Sequence, residues 1–308
     1  MMHPQHETAE HMNGRRRWRP APFILASLIL HLAGLIALTL RPELWPWILG
    51  VLAGNQLVLI AAVLWPRGNL LGANLVRLPV SAARRGLVAL TFDDGPDPNV
   101  TPQVLELLDQ YRATASFFCI GEKAAAHPEL VRDIVRRGHS VENHSYRHSH
   151  SFAFYGFFRL RREVESAQAV IAGITGRPPG FFRAPAGFRS PFLDAVLAPR
   201  GIHYVSWTRR GFDAGGFFAV NRNPFRVLQR LIRGLAAGDV LLLHDGSHAR
   251  TDAGEPLVLT VLPELLDQLA AQGLRSVSLP IACYADLPAQ AAVTDSSMRD
   301  FEKRRRHA

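Results

Sequence analysis

Two uncharged runs near the N-terminus, residues 21–40 and 44–65, narrow what this 308-residue chain can become. At about 1.5 Å per residue, a helix of either length spans roughly 30 Å, the thickness of a bilayer core. Only Arg41-Pro42-Glu43 separates them, and His31 is the one strongly polar interruption of the first. Trp18, Trp45, Trp47 and Trp65 fall at the edges of the runs, where an amphipathic ring prefers to sit. The reading is a transmembrane helical hairpin over 21–66, preceded by a polar, disordered basic tail (1–20) and placed in the inner (cell) membrane as a multi-pass protein. His3, His6 and His11 of that tail lack a scaffold that would fix them on a metal.

Arginine placement sets the orientation. Arg15, Arg16, Arg17 and Arg19 lie on one flank, Arg67, Arg77, Arg84 and Arg85 on the other, and the short connection has only Arg41 beside Glu43. The positive-inside rule then places both flanks and the following domain in the cytoplasm. A signal sequence competes, but the first run is long for an apolar signal core and no small-residue cleavage site follows it. Arg15-Arg16-Arg17 faintly resembles a twin-arginine signal, which keeps a periplasmic or extracellular domain as the alternative.

The net charge of +9 does not indicate a nucleic-acid surface. Only Lys123 and Lys303 are lysine, so the excess is nearly all arginine and reads as coding bias concentrated at the chain ends. No basic stripe interleaved with aromatics appears between them, so nucleic acid is not an expected partner, and no protein partner can be inferred. Cys119 and Cys283 are too few and too far apart for a disulfide scaffold or a zinc knuckle.

After a linker at 67–85, strand-like runs near 86–93, 114–120, 139–143, 180–184, 202–207, 239–245 and 275–279 alternate with helix-like stretches. Those stretches lie near 101–112, 122–137, 157–174, 190–199, 224–236 and 258–272. Such alternation implies parallel strands in a closed or incomplete barrel, with an open doubly wound sheet as the alternative. Either way, catalytic groups belong just past the carboxyl ends of strands. A polar basic tail, 286–308, closes the chain in Lys303-Arg304-Arg305-Arg306 and could lie on anionic lipid.

Strand ends are where the chemistry collects. The first strand runs into Thr91-Phe92-Asp93-Asp94-Gly95-Pro96-Asp97, two adjacent carboxylates that suggest a metal or catalytic site, against the plainer reading of a solvated turn. His144 and His148 follow the third strand. Four residues apart, on a helical turn, they project about 40° from one another and could offer two nitrogens to a metal. With an Asp from another strand end they make a two-His, one-carboxylate set with positions open for water. Arg183 leaves the fourth strand and needs a carboxylate, for which Asp93 is a candidate. His244 emerges from the apolar run Val240-Leu241-Leu242-Leu243, and taken alone would be a hydrogen-bonded core histidine.

In this order, TFDDGPD, HSYRH, RAPAG and LLLHD resemble the signature motifs of the polysaccharide deacetylase family, the NodB-homology domain, over about residues 86–280. The resemblance implies a distorted (β/α)7 barrel, here a catalytic domain at 86–285, with a divalent metal, most often Zn2+, with Co2+, Ni2+ or Mn2+ as alternatives. It implies hydrolysis of an acyl group on a sugar. Asp94, His144 and His148 resemble the metal ligands, Asp93 the base that deprotonates the metal-bound water, His244 the general acid, and Arg183 the residue that orients Asp93. A metal that acidifies water, a carboxylate that takes a proton and an imidazolium that gives one fit that division of labour.

Two positions depart from the family pattern. Ala186 stands where a bulky aromatic is usual; it still supplies the backbone N–H implied for the oxyanion but lowers the groove wall. After Trp207 the family pairs two aspartates, whereas this chain has Arg210 and then Asp213. Asp213 is expected to tune His244, and Arg210 to bind something anionic. The expected substrate is therefore an acylated saccharide, an N-acetylated sugar that is lipid-linked and has a phosphate near the site, in preference to a polymer such as chitin. A deformylase of a polyprenyl-linked amino sugar would carry the same motifs, and a domain outside the membrane would favour a peptidoglycan or exopolysaccharide deacetylase. More distant alternatives are a non-heme iron oxygenase and an inactive binding protein.

Overall fold

A computed structural model describes residues 18–215, 223–247 and 249–284. The C-terminal basic tail and most of the N-terminal one, the latter expected to be disordered, lie outside the described residues.

Helices α1 (Pro22–Leu40) and α2 (Trp45–Leu64) form the hairpin, each with proline in its first turn, where the missing N–H costs nothing. Both are long and apolar enough to cross a membrane by length and composition, and most of their leucines and isoleucines point outward. Polar groups inside the two runs find each other instead. Asn55 Nδ2 donates to Ser27 Oγ at 2.7 Å, Gln56 Nε2 donates to His31 Nε2 at 3.0 Å, and His31 Nδ1 donates to the Ser27 carbonyl at 2.7 Å. His31 is thus one end of the polar seam that joins the helices.

The remainder is an α/β barrel of parallel strands, distorted and incomplete. In chain order its elements are α3 (Val80–Arg84), β1 (Leu87–Asp93), α4 (Thr101–Gln110), β2 (Ala115–Cys119), α5 (Gly121–Ala126), α6 (Pro128–Arg136) and β3 (Ser140–Asn143). Next come α7 (Phe157–Thr175), β4 (Phe181–Phe182), α8 (Leu193–Leu197), β5 (His203–Tyr204) and β6 (Arg209–Arg210). Then follow α9 (Pro224–Ile232), β7 (Val240–His244), α10 (Leu257–Ala271), β8 (Arg275–Ser276) and α11 (Leu279–Tyr284). The sheet order is β5-β4-β3-β2-β1-β7-β6, with β8 paired to the start of β1. The single helix expected over 122–137 is two, because Pro128 starts α6 and forces His127 out of helical backbone. Strand β6 was not expected.

Period-two alternation in β1 divides its side chains between two environments. Val88, Leu90 and Phe92 join the large apolar layer beneath α4, α6, α9 and α10, with Leu105, Ile134, Leu231 and Leu265. Leu87 and Ala89 face inward, onto a smaller cluster with Phe118, Val205 and Val240, and above them on the same face stand Thr91 and Asp93. Strand β7 repeats the pattern: Leu241 and Leu243 face the helices, while Val240 and Leu242 face in, as does His244. Asp93 and His244 are register partners across β1 and β7, so the two share one end and one face of the barrel.

The segment read as a linker is built into the barrel. Leu75 bridges in parallel to Val205, beyond β5, and Arg77 bridges antiparallel to Asp239, ahead of β7. Leu75 N–H donates to the Tyr204 carbonyl and Leu78 N–H to the Gly238 carbonyl, and Leu78 and Ala82 are buried. These residues occupy the gap between the edge strands of the incomplete sheet. Arg189, wholly buried, aims its guanidinium at the carbonyls of Gly68, Gly72 and Ala73 (3.3, 3.2 and 3.2 Å), while its own N–H donates to Val63 in the last turn of α2.

Candidate active site and metal centre

Asp93, Asp94, His144, His148, Ala186, Arg210 and His244 line one cavity of about 560 Å³ at the carboxyl end of the strands. Arg183 and Asp213 stand behind it, in contact with Asp93 and His244.

Asp94 Oδ1 lies 3.1 Å from His144 Nε2 and 3.0 Å from His148 Nε2, and the three ligand atoms are all within 4.8 Å of one another. None of these approaches is along a hydrogen bond, so Oδ1 is buried without a donor. An orphaned carboxylate oxygen facing two imidazole nitrogens is what a divalent cation would satisfy. The His144 tautomer agrees: Nδ1 donates to the Arg183 carbonyl at 2.9 Å, which leaves the Nε2 lone pair for the centre. Burial would raise the Asp94 carboxyl, but the two imidazoles beside it hold it well below the usual carboxylate range. Burial likewise opposes the His144 imidazolium, and the neighbouring Asp93 and Asp94 charges turn the balance and raise it.

The histidines do not sit on the helical turn that their spacing suggested. They leave β3 on an irregular loop, and His148 reaches the centre from a left-handed backbone with φ of 52°. Asp94 (70°), Ser145 (63°), Ala186 (54°), Phe212 (62°) and Ser247 (42°) share that rare region, all on or beside the cavity. Backbone strain of this kind persists where surrounding contacts over-determine it. Here, Lys123 Nζ donates to the Asp94 carbonyl at 2.8 Å and Ile120 N–H to the Gly95 carbonyl at 2.9 Å. Gly246 packs so closely on Asp94 that a Cβ there would overlap its backbone.

Asp93 is held on its other side. Arg183, with no exposed surface, donates from Nη1 to Asp93 Oδ1 at 2.6 Å and to Thr91 Oγ1 at 2.8 Å. Its remaining nitrogens reach the Val205 and Ser206 carbonyls, and the guanidinium stacks 4.1 Å from the Phe118 ring centre. A guanidinium fixed by so many partners in turn fixes Asp93 Oδ1, and Oδ2 lies on the side of His144, 3.8 Å from its Nε2. His244 is tied equally firmly. Its Nδ1 is 3.0 Å from Asp213 Oδ1, and its N–H donates to Asp213 Oδ2 at 2.8 Å. Burial disfavours the imidazolium, but the Asp213 charge and hydrogen bond outweigh it, helped by Asp94 and Asp93, and the group is pushed up to about 9.

Arg210 lines the cavity through β6. It has no ion pair or hydrogen bond among the described residues; its guanidinium lies over Phe212, 4.0 Å from the ring centre, and Nε is buried without an acceptor. Burial lowers it from the ordinary arginine range. Several contributors were not anticipated from sequence: His150, Phe188 and Ser247 on the cavity wall, and Lys123 and Thr91 behind it. His150 closes the same histidine-rich motif, two residues past His148, and was the one within reach of a pattern argument.

The chain's relatives agree with one another. The family model described as polysaccharide deacetylase matches residues 81–205. A peptidoglycan-N-acetylglucosamine deacetylase of Bacillus cereus is 30% identical over 193 residues, 63% of this chain and 86% of that protein. A chitooligosaccharide deacetylase of Sinorhizobium fredii is 31% identical over 215 residues, 66% and 94% of the two chains. Among solved structures, a family 4 carbohydrate esterase from Streptomyces lividans in complex with acetate is 35% identical with a TM-score of 0.54, covering 62% of this chain and 91% of that one. A family 4 acetyl xylan esterase from Clostridium thermocellum in complex with a cobalt ion is 29% identical, with a TM-score of 0.55 and coverage of 63% and 88%. These sequence and structural similarities, together with the four strand-end motifs, show that the chain belongs to the polysaccharide deacetylase family.

Proposed function

We propose that the protein is a metal-dependent hydrolase that removes an N-acetyl group from an amino sugar of a glycan or lipid-linked saccharide at the membrane. The observation that carries the reading is the convergence of Asp94 Oδ1, His144 Nε2 and His148 Nε2 in one cavity with Asp93 and His244. A divalent ion held by those three ligands, zinc in the first instance, would supply an acidified water and a Lewis acid for the acyl oxygen. Asp93, fixed by Arg183, accepts the proton of the attacking water. His244, kept protonated by Asp213, donates to the leaving sugar nitrogen. Ala186, exposed on the cavity wall, would supply its backbone N–H to the oxyanion site. The relatives' names, deacetylases of N-acetylglucosamine polymers and chitooligosaccharides, support the acetyl group and the amino sugar.

The hairpin anchors the catalytic domain, which occupies the cytoplasmic side by the arginine distribution. Alkaline phosphatase fused after residue 80 reads that side, and strong phosphatase activity would move the domain outside. The chemistry is tested by acetate release from an N-acetylglucosamine oligomer by the full-length protein, before and after chelation and zinc return. Asp93→Asn should keep bound zinc and lose activity by about 100-fold or more. Turnover preserved in that variant would remove Asp93 as base.

A further inference from the structure

Beside the catalytic cavity, and sharing Trp207 and Arg210 with it, opens a second pocket of about 390 Å³. Five of its nine lining residues are arginines, Arg67, Arg209, Arg210, Arg230 and Arg233, and none is acidic. Only Arg209 is neutralised: Nε meets Asp239 at 2.6 Å and its other nitrogens meet the carbonyls of Arg233 and Gly234. Arg67 gives one donor to the Thr208 carbonyl at 3.3 Å. Among the described residues, Arg210, Arg230 and Arg233 have neither carboxylate nor carbonyl partners.

Arg210 and Arg230 both lie over the Phe212 ring, at 4.0 and 5.3 Å from its centre. Two guanidiniums gathered on one ring repel each other; the charges of Asp213 and Asp93 bear on Arg210 without pairing with it, and an anion between the two guanidiniums would relieve the remaining cost. Independently, the buried Arg210 Nε points to a missing acceptor. Planar, multi-donor arginines suit the oxygens of a phosphoryl group in particular. Location says what carries that group. The pocket's edge is Pro66-Arg67, immediately past the end of α2, and its other side is the wall of the catalytic cavity.

We propose that this pocket binds the phosphoryl group that joins a lipid to the sugar being deacetylated, with the lipid on the side of α2 and the sugar in the catalytic cavity. The proposal rests on the deacetylase reading above and narrows its substrate to phosphate-linked lipid saccharides.

The test uses full-length protein, zinc and zwitterionic micelles with two probes: N-acetylglucosamine joined to farnesol through a phosphodiester, and the same farnesyl sugar without phosphate. Acetate release should favour the phosphodiester by about tenfold or more in kcat/KM, mainly through KM, and Arg230→Gln with Arg233→Gln should collapse that ratio toward one. Both arginines are exposed, so the double variant should fold, with an unchanged melting temperature as the check. Equal use of the two probes by the wild type, or an undiminished ratio in the variant, overturns the proposal. A second arm is independent of turnover: titration calorimetry with farnesyl phosphate against farnesol. Tighter binding of the phosphate, weakened by the double variant, supports the pocket even where neither probe is hydrolysed, a result that would instead sink the deacetylase reading. Equal binding of the two, or full displacement of farnesyl phosphate by phosphatidylglycerol at equal concentration, would overturn the assignment to substrate phosphate.

Discussion

Asp213→Asn isolates how His244 is kept protonated. In the wild type the imidazole is pushed up to about 9, from an ordinary value of 6.5, although burial works in the opposite direction. Asparagine keeps the size and a carbonyl for the His244 N–H but removes the charge, so the imidazole should fall to about 6.5 or below. That change of at least about 2.5 units corresponds to roughly 3 kcal/mol between the two protonation states. At pH 8 the donor would go from about 90% protonated to about 3%, a loss of about 30-fold in acetate release. At pH 6 protonation would fall only to about three quarters. The alkaline limb of the pH profile should therefore move down by two units or more. A folded-state value raised above the unfolded one also makes this group stabilise the fold fully below about 6.5, with the contribution lost as pH rises through about 9. The variant should lack that alkaline decline. An NMR titration of the His244 ring with the activity profile reads both, and an alkaline limb that stays within half a unit of the wild type would refute the assignment.

Other perturbations separate the remaining roles. Arg183→Met leaves Asp93 buried without its cation and should cost about 3–5 kcal/mol of stability, seen as a lowered melting temperature, with the matched Asp93→Asn background recovering part of it. His148→Ala removes one of the three proposed ligands and should lose bound zinc by elemental analysis; full occupancy would contradict the ligand set. A truncation beginning at residue 86 should aggregate, because it uncovers the gap that residues 75–78 fill, whereas one beginning at 66 should stay monomeric by gel filtration.

What the sequence made readable was whatever follows a short period. The apolar run into Asp93 and the run into His244 specify buried parallel strands, and alternation alone puts both residues on the inner face. Asp93, Asp94, His144, His148, Arg183 and His244 all stand at or just past such strand ends, where the sequence alone points to chemistry. The loop geometry was not readable in the same way. A four-residue interval suggested a helical turn for His144 and His148, but the loop reaches the same convergence through a left-handed His148, a choice set by tertiary contacts. Closure of the sheet by Leu75 and Arg77 is not legible in the sequence because each makes a single bridge to a distant partner, with no period to betray it. Lys123 and Arg189 act through backbone carbonyls, which any sequence supplies.

A tethered enzyme on roughly twenty flexible residues would wander some 25 Å from its anchor and sample every orientation. Arg189, gripping the chain just past α2 and the last turn of α2 itself, removes that freedom and turns the connection into a rigid bracket. For a hairpin that spans a bilayer, the bracket works as a ruler: the catalytic mouth stands at one height and one angle above the lipid. Bilayer thickness then becomes an input, since a helix pair that tilts to match a thinner membrane would tilt the mouth with it.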